Sequence, residues 1–157
     1  MALSSQNKAP LFDPLRKKEL ISKQEERVRQ ALLKHMIENL KFPKERLLVE
    51  RTLARLPHLE NQKDLPNRRV DILCYEKEGN DFSSLLVIEC KHAMVDPAAF
   101  HQLFGYNHFL GAPFLAVVSM DSILFRYKSE KEFAFLNYLP SYGDLLRAKN
   151  ENKPFAS

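Results

Sequence analysis

Glycine is scarce in this chain, with four glycines among 157 residues. No G-x-x-x-x-G-K-[ST] phosphate loop occurs in the sequence, which excludes an ATP-driven motor of that type within it. So little glycine also argues against glycine-rich nucleotide loops and against a β-barrel with many turns. No apolar run approaches the ~20 residues that a membrane-spanning helix requires. The polar start, with Lys8 followed by Pro10, predicts no signal peptide.

Cysteine is rarer still, with two residues in the chain. Cys74 and Cys90 both lie inside apolar runs. Two such residues do not make a disulfide framework, so they predict buried, reduced thiols. Together with the absence of membrane signals, this pattern leads us to expect a cytoplasmic protein with no membrane partner.

The composition is that of a globular domain, with 45% apolar and 28% charged residues. This is too much apolar material for a disordered chain. The length predicts one domain. We expect a flexible N-terminal arm over residues 1–17, a single domain over 18–149 and a loose C-terminal tail over 150–157.

Positive charge is concentrated in the first half of the chain. Residues 1–70 contain 16 Lys and Arg against 9 Asp and Glu, whereas residues 71–157 contain 8 against 11. The two halves therefore carry net charges of +7 and −3. A basic half suits a polyanion such as nucleic acid contacted by one face, although basic helices also serve solubility alone.

Apolar spacing and turn residues predict alternating helices and strands. A first helix over 18–40 is indicated by apolar residues at three- and four-residue spacing: Val28, Ala31, Leu32, Met36 and Leu40. Strands are predicted over 47–53, 69–76, 84–91, 114–119 and 122–128. A second helix is predicted from an Asp96-Pro97 N-terminal cap to Leu110, and a third from a Ser141 cap to Lys149.

This order of elements predicts an α/β fold with a mixed sheet and helices packed against it. The strand–helix–strand unit over 84–119 needs a crossover, so its two strands are expected to be parallel neighbours. The first three strands are expected to form an antiparallel meander. A loop at Gly79-Asn80 would join the second and third strands as a hairpin.

Charged residues interrupt two strands that are otherwise apolar. Asp71 lies between Val70 and Ile72, and Glu89 and Lys91 flank Cys90 at the end of the third strand. Because side chains alternate along a strand, Glu89 and Lys91 share a face. Charges are rarely buried without a partner or a metal ion.

A symmetric hairpin around Asn80 would place Asp71 opposite Glu89, and Tyr75 opposite Leu85. Two opposed carboxylates repel, and a divalent cation between them would turn the repulsion into a binding site. Hard oxygen ligands suit Mg²⁺, with Mn²⁺ as a second choice. With Lys91 on the same face, the set predicts a metal-assisted phosphodiester hydrolase. The competing interpretation is a solvated ion pair at the edge of the sheet.

Two helices carry further candidates. Gln102 and Tyr106 lie four residues apart on one face of the second helix. Helical phasing puts Glu25 on the buried stripe of the first helix, pointing toward the sheet, with Glu26 nearer the edge. The alternative for the two glutamates is that acids simply favour the first turn of a helix.

The ordered set of these residues resembles the PD-(D/E)XK nuclease superfamily. It is most similar to the branch that forms the N-terminal nuclease domain of type I restriction enzyme R subunits. The resemblance runs from about Lys23 to Arg126 and is carried by the following motifs: Val70-Asp71-Ile72-Leu73, Leu85 to Lys91, Gln102-x-x-x-Tyr106, Glu25 to Gln30, Glu50, Gly105-Tyr106-Asn107 and Leu110 to Pro113. Val70 stands where the superfamily name has proline.

The resemblance implies a restriction-endonuclease-like fold with an αβββαβ core. It implies that Asp71, Glu89 and the Cys90 carbonyl bind Mg²⁺, and that Lys91 positions or activates the attacking water. In addition, Gln102 and Tyr106 would contact DNA or order the site, and Glu25 or Glu26 would be an auxiliary acid.

The resemblance also implies DNA as the substrate and DNA hydrolysis as the activity, in a context of restriction and modification. The motor domain of such enzymes is not within this sequence, so a second copy, or motor and specificity subunits in trans, are the candidate partners. A non-catalytic nucleic-acid-binding or scaffold module with the same fold, and an RNA-processing nuclease, remain the alternatives.

Overall fold

The computed structural model of the chain describes residues 14–93, 95, 100–152 and 155. Within them it contains three α-helices and six strands. The helices are α1 (Pro14–Glu38), α2 (Phe100–Leu110) and α3 (Tyr142–Asn150). The strands are β1 (Leu47–Thr52), β2 (Arg69–Glu78), β3 (Asp81–Cys90), β4 (Phe114–Val118), β5 (Ile123–Ser129) and β6 (Glu132–Leu136). The predicted Asp96-Pro97 cap lies outside the described residues.

The six strands form one sheet in the order β1-β2-β3-β4-β5-β6. Only β3 and β4 pair in parallel, and every other neighbouring pair is antiparallel. This confirms the predicted mixed α/β class, the initial antiparallel meander and the parallel pair joined through α2. The architecture is consistent with a restriction-endonuclease-like fold.

Strand β6 is absent from the sequence-based prediction. Ser129 pairs with Glu132, so a two-residue turn joins β5 to β6, and Glu130 in that turn has a φ of 47°. Glycine, asparagine and aspartate are the usual residues of such turns. A Glu-Lys turn therefore gives no recognisable signal, and the hairpin was not predictable from turn chemistry.

The hairpin of β2 and β3 contains a β-bulge that shifts its register. Near the sheet centre, Cys74 pairs with Leu86, but one step outward Tyr75 pairs with Ser84. The prediction that Tyr75 faces Leu85 is therefore wrong, because Leu85 is the extra residue of the bulge. Consistently, the consecutive residues Leu85 and Leu86 both pack into the same core layer.

Two apolar layers cover the two faces of the sheet. In α1, Val28, Leu32 and Met36 are buried on one face, together with Leu145 of α3. The second layer, on the opposite face, contains the buried residues of α2: Phe100, Leu103, Tyr106 and Leu110. Strand β4 is buried along its whole length, as its unbroken apolar run predicts.

Helix α1 differs from its prediction at both its start and its apolar stripe. It begins at Pro14, four residues before the predicted start, and ends at Glu38. Its residue Ala31 is exposed, although the predicted stripe includes it. The buried stripe is narrower because Val28, Leu32 and Met36 repeat strictly every four residues.

The remaining predictions about the core concern the cysteines and the C-terminal residues. Cys74 and Cys90 are free and buried, as predicted. Burial raises the pKa of the Cys74 thiol to about 12, so it stays protonated at neutral pH. Phe155, in the stretch predicted to be a loose tail, packs edge-on against Phe125 and Tyr127. Among the described residues, no helix is long and apolar enough to span a bilayer.

The predicted cap of α3 is present. The Ser141 hydroxyl accepts a hydrogen bond of 3.2 Å from the backbone N–H of Asp144. Replacing Ser141 by alanine removes this acceptor, so we expect the free energy of unfolding to fall by ~1 kcal/mol. Urea denaturation measures this change. Ser141→Asp keeps an acceptor and should retain the stability, whereas equal stability of the alanine variant would contradict the role of the cap.

Candidate active site

The three charged residues that the sequence singled out meet at the carboxyl end of β3. The amide of Lys91 donates a 2.8 Å hydrogen bond to the carbonyl of Val118 at the end of β4, so the parallel pairing continues through Lys91. Asp71 lies on β2 one residue beyond the pair Ile72–Ile88, the last recorded pair at this end of the hairpin. The fold therefore brings residues from two strands to one end of the parallel pair, where ligands gather in open α/β sheets.

Glu89 is held from two sides. Its Oε2 accepts a 2.6 Å hydrogen bond from the hydroxyl of Tyr106 on α2. Its Oε1 lies 3.7 Å from the Nζ of Lys91, which confirms that these two side chains share a face of the strand. The side chain of Glu89 is 15% exposed and that of Lys91 is 29% exposed, so both are shielded but reachable from solvent.

Asp71 is fixed by the backbone of the neighbouring strand. Its Oδ2 accepts a 2.8 Å hydrogen bond from the amide N–H of Cys90. Among the described residues, Oδ1 has no recorded hydrogen-bond partner in the protein. The carboxylate of Asp71 is thus oriented through one oxygen while the other remains available to a ligand.

The electrostatics of this pair are unfavourable for two negative charges. Burial raises the pKa of Asp71, and the Cys90 amide and the positive charges of Arg29 and Lys91 only partly oppose this. Burial also raises the pKa of Glu89, and the charge of Asp71 raises it further. A cation between the carboxylates would favour their charged forms.

The two adjacent glutamates of α1, Glu25 and Glu26, have different surroundings in the structure. Burial raises the pKa of Glu25, which interacts electrostatically with Lys91, Asp71 and His92. Glu25 therefore lies close enough to Asp71 and Lys91 for their charges to affect its pKa. Glu26 is exposed and lies 3.3 Å from Arg29, with which it forms an ion pair.

Gln102 and Tyr106 line one shallow pocket, together with Pro66, Arg68 and Gly105. The guanidinium of Arg68 donates a long hydrogen bond of 3.5 Å to Oε1 of Gln102. Tyr106 is buried, and burial followed by the charge of Glu89 raises the pKa of its hydroxyl. The hydroxyl therefore stays protonated and serves as a hydrogen-bond donor to Glu89.

The carboxylates that could hold a metal ion are Asp71 and Glu89, and the Cys90 carbonyl directly follows Glu89 in the chain. Within the described part of the chain, no three His, Cys, Asp or Glu side chains converge on a common point. This donor set excludes a closed all-protein metal cage. It fits Mg²⁺, which typically takes one or two carboxylates and completes its shell with waters and substrate phosphates.

The family profile described as type I restriction enzyme R protein N terminus matches residues 24–140. The chain belongs to this family. The match includes α1 from its second half, the whole sheet and α2, and thus every candidate site residue. Neither a curated protein nor a solved structure shows a significant match.

Membership of the type I restriction enzyme R N-terminal family supports a restriction-enzyme-like role for the chain. It agrees with the resemblance found in the sequence, because the matched range contains the Asp71, Glu89-x-Lys91 and Gln102-x-x-x-Tyr106 motifs. The matched range also contains β6, which shows that this strand belongs to the family region.

One network beside the site was not predicted from the sequence. The side chain of Arg29 is 8% exposed and lies between two carboxylates, 3.1 Å from Glu50 and 3.3 Å from Glu26. Arg69 also reaches Glu50 at 3.4 Å. Arg29 directly follows Val28 in α1, but nothing in the sequence pairs it with Glu50.

Glu50 has an unusual backbone conformation within β1. Its φ is 53°, in the left-handed region that glutamate rarely adopts. The pairing of β1 with β2 skips Glu50, between Val49–Ile72 and Arg51–Val70, and Asp71 lies between those two partners. Backbone strain of this kind persists where the surroundings hold it, and it is often found at functional sites.

Proposed function

We propose that the chain is a Mg²⁺-dependent endonuclease of the PD-(D/E)XK type that hydrolyses phosphodiester bonds in DNA. The observation that carries this proposal is the pair of partly buried carboxylates with raised pKa values, Asp71 and Glu89, beside the Lys91 ammonium group. Such clusters cost stability, so they are more frequent at functional sites than elsewhere.

The metal would be held by Asp71, by Glu89 and by the backbone carbonyl of Cys90. Mn²⁺ has similar ligand preferences and would substitute for Mg²⁺. When bound, the metal supplies Lewis-acid polarisation of the scissile phosphate and stabilisation of the developing charge. Cys90 is suited to its part because its amide already orients Asp71, so one residue links both carboxylate-bearing strands.

The neighbouring side chains have separate roles in the proposed reaction. Lys91 holds the attacking water in line with the scissile bond, and its proximity to Glu89 keeps the ammonium group in place. Tyr106 orients Glu89 through its hydroxyl. Glu25 is an auxiliary acid near the metal, and Gln102 contacts the DNA backbone together with Arg68.

The charge distribution supports a DNA substrate. The first 70 residues carry a net charge of +7 and contribute α1 and the loop with Arg68, which border the acidic site. Phosphate contacts from such residues give affinity without sequence selectivity. One site cuts one strand, so a double-strand cut needs a second copy of the chain or two binding events. Motor and specificity subunits in trans are the other candidate partners.

Metal dependence of cleavage tests the proposal. Nicking of supercoiled plasmid by the wild-type protein should require Mg²⁺ or Mn²⁺ and stop with EDTA. Glu89→Gln, which keeps the shape of the side chain, should fail to cleave with either metal. Glu60→Gln, at an exposed position away from the site, is the matched control and should cleave like wild type.

Two results would redirect the proposal. Salt-dependent DNA binding without cleavage in any metal would favour the non-catalytic binding module. Metal-dependent cleavage of RNA in preference to DNA would favour an RNA-processing nuclease. Equal cleavage by wild type and Glu89→Gln, with and without EDTA, would overturn the assignment of the site.

A further inference from the structure

A group of aromatic side chains surrounds an arginine on the α2 face of the sheet. The Cζ of Arg126 on β5 lies 4.4 Å from the ring centre of Phe104 on α2 and 4.0 Å from that of Phe133 on β6. We call Phe104, Arg126 and Phe133 the aromatic–arginine stack. Contacts of this length are typical of cation–π interactions.

The stack is open to solvent on a well-packed base. Phe104 is 37% exposed and Phe133 is 56% exposed, which is unusual for phenylalanine. Beneath them, fully buried Phe100 contacts the rings of Phe104 and Phe135, each at 5.7 Å between centroids. Phe104 is therefore held against the core, and Phe133 is held on β6 by its strand pairing and by its contact with Arg126, so that the two exposed rings form an apolar platform.

Arg126 has no acidic partner among the residues that the structure describes. Within the described ranges, no carboxylate lies at ion-pair distance from it, and its buried Nε has no hydrogen-bond partner. A guanidinium group that is stacked on rings but lacks an anion can still attract a phosphate. The stack thus combines apolar ring faces with an unpaired positive charge.

This platform is continuous with the candidate active site along α2. Tyr106, which donates to Glu89, shares the shallow pocket with Gln102 and His101. His101 in turn contacts Phe104 edge-on, at 6.3 Å between ring centroids. The pocket at Tyr106, whose hydroxyl reaches Glu89, therefore adjoins the aromatic–arginine stack through His101.

We propose that the aromatic–arginine stack binds unpaired bases of a single-stranded nucleic acid segment next to the cleavage site. This inference deepens the proposed function, and rests on it, by naming the form of substrate that the site receives. Bases present flat π faces that stack on phenylalanine rings regardless of sequence, and the adjacent phosphate would meet Arg126.

The chemistry of the stack favours unpaired bases over two other occupants. In a duplex the base faces are already stacked on one another, so an exposed phenylalanine gains nothing from them unless bases are unpaired. A second copy of this chain would bring a second Arg126 toward the same surface, and the like charges would repel. Charge complementarity thus favours a polyanion with accessible aromatic faces.

A tryptophan reporter tests the proposal directly. The chain contains no tryptophan, so Phe133→Trp introduces a single fluorophore at the stack. In EDTA, an oligothymidine of about ten nucleotides should quench this fluorescence. An abasic oligomer of equal length, which has the phosphates but no bases, should not quench it and should bind more weakly.

Measurements of oligothymidine affinity provide a second test of the proposal. Phe133→Leu keeps an apolar side chain but loses the aromatic face, and should weaken oligothymidine binding by about 5- to 150-fold, the range for loss of one base stack. Phe133→Trp should bind at least as well as wild type. Leu20→Ala, at a 58% exposed position on α1, is the matched control for loss of exposed apolar surface and should bind normally.

Four outcomes would overturn the inference, and three of them concern the tryptophan reporter. These are equal binding of the abasic oligomer, equal quenching by a blunt duplex, and a fluorescence change with protein concentration alone, which would indicate self-association. Because these measurements use EDTA, they are independent of cleavage. Normal binding by Phe133→Leu with metal-dependent cleavage by wild type would reject the inference and leave the proposed function intact.

Discussion

Replacing Lys91 by alanine is expected to reduce the rate of DNA cleavage by roughly 10²- to 10⁴-fold, the range for loss of a group that manages a proton or a nucleophile. The ammonium group lies 3.7 Å from Glu89 and is partly exposed. It is therefore placed to hold a water molecule beside the proposed metal site. Single-turnover cleavage of a labelled duplex with saturating Mg²⁺ measures this effect on the chemical step.

Measuring Mg²⁺ binding distinguishes a role of Lys91 in the reaction from a role in maintaining the structure of the site. Lys91 is not a proposed ligand, and its charge opposes a second cation nearby, so Lys91→Ala should bind Mg²⁺ at least as tightly as wild type in calorimetry. Lys77→Ala, on the exposed outer end of β2, is the matched control. Cleavage by Lys91→Ala within a few-fold of wild type would remove this residue from the mechanism.

Replacing Asp71 by asparagine should have opposite effects on activity and on stability. Loss of the carboxylate should abolish metal-dependent cleavage. Because burial and nearby Glu89 make two negative charges unfavourable here, the same change should raise the free energy of unfolding at neutral pH, by about 0.5–2 kcal/mol without metal. Thermal unfolding in EDTA measures this gain, and Asp81→Asn, at an exposed position in the hairpin, is the control.

The pH dependence of stability follows from the raised pKa values of Asp71 and Glu89. For a carboxyl group whose folded pKa is raised, the stabilising contribution is complete below the unfolded pKa and disappears as the pH rises through the folded pKa. Asp71 and Glu89 are both of this kind. Stability of the wild type in EDTA should therefore fall as the pH increases from about 4 toward neutrality, and Asp71→Asn should reduce this fall.

Magnesium should reverse the order of stability of wild type and Asp71→Asn. Binding to the folded state alone adds stability, so Mg²⁺ should raise the melting temperature of wild type but not that of Asp71→Asn. An asparagine variant that is less stable than wild type in EDTA would show that Asp71 is mainly a structural ligand of the Cys90 amide. Equal stabilisation of both proteins by Mg²⁺ would place the metal elsewhere.

The residues of the candidate site are easier to identify from the sequence than the residues that surround them. A charge inside an apolar strand is a strong local anomaly, so Asp71, Glu89 and Lys91 were identified from single positions. The parallel pairing of β3 and β4 was predictable because a helix of suitable length separates them. These features depend on local pattern, which the sequence contains in full.

Features that depend on tertiary contacts could not be predicted in the same way. Arg29 reads as an ordinary helical arginine until β1 brings Glu50 to 3.1 Å from it. The left-handed backbone of Glu50 has no sequence signature, since glycine is the residue that usually indicates it. The turn at Glu130 was not predicted for the same reason, because its left-handed residue is a glutamate and not a glycine.

The bulge at Leu85 has a consequence for how the β2–β3 hairpin tolerates change. A one-residue slip in an antiparallel pair turns every side chain to the opposite face, which would remove Asp71 and Glu89 from the site. The bulge already separates the inner pairs, such as Cys74–Leu86, from the outer pairs, such as Tyr75–Ser84. The outer segment, which ends at the exposed Gly79-Asn80 tip, is thus separated from the register that positions Asp71 and Glu89. This tip is the natural place to attach a label or to fuse another domain.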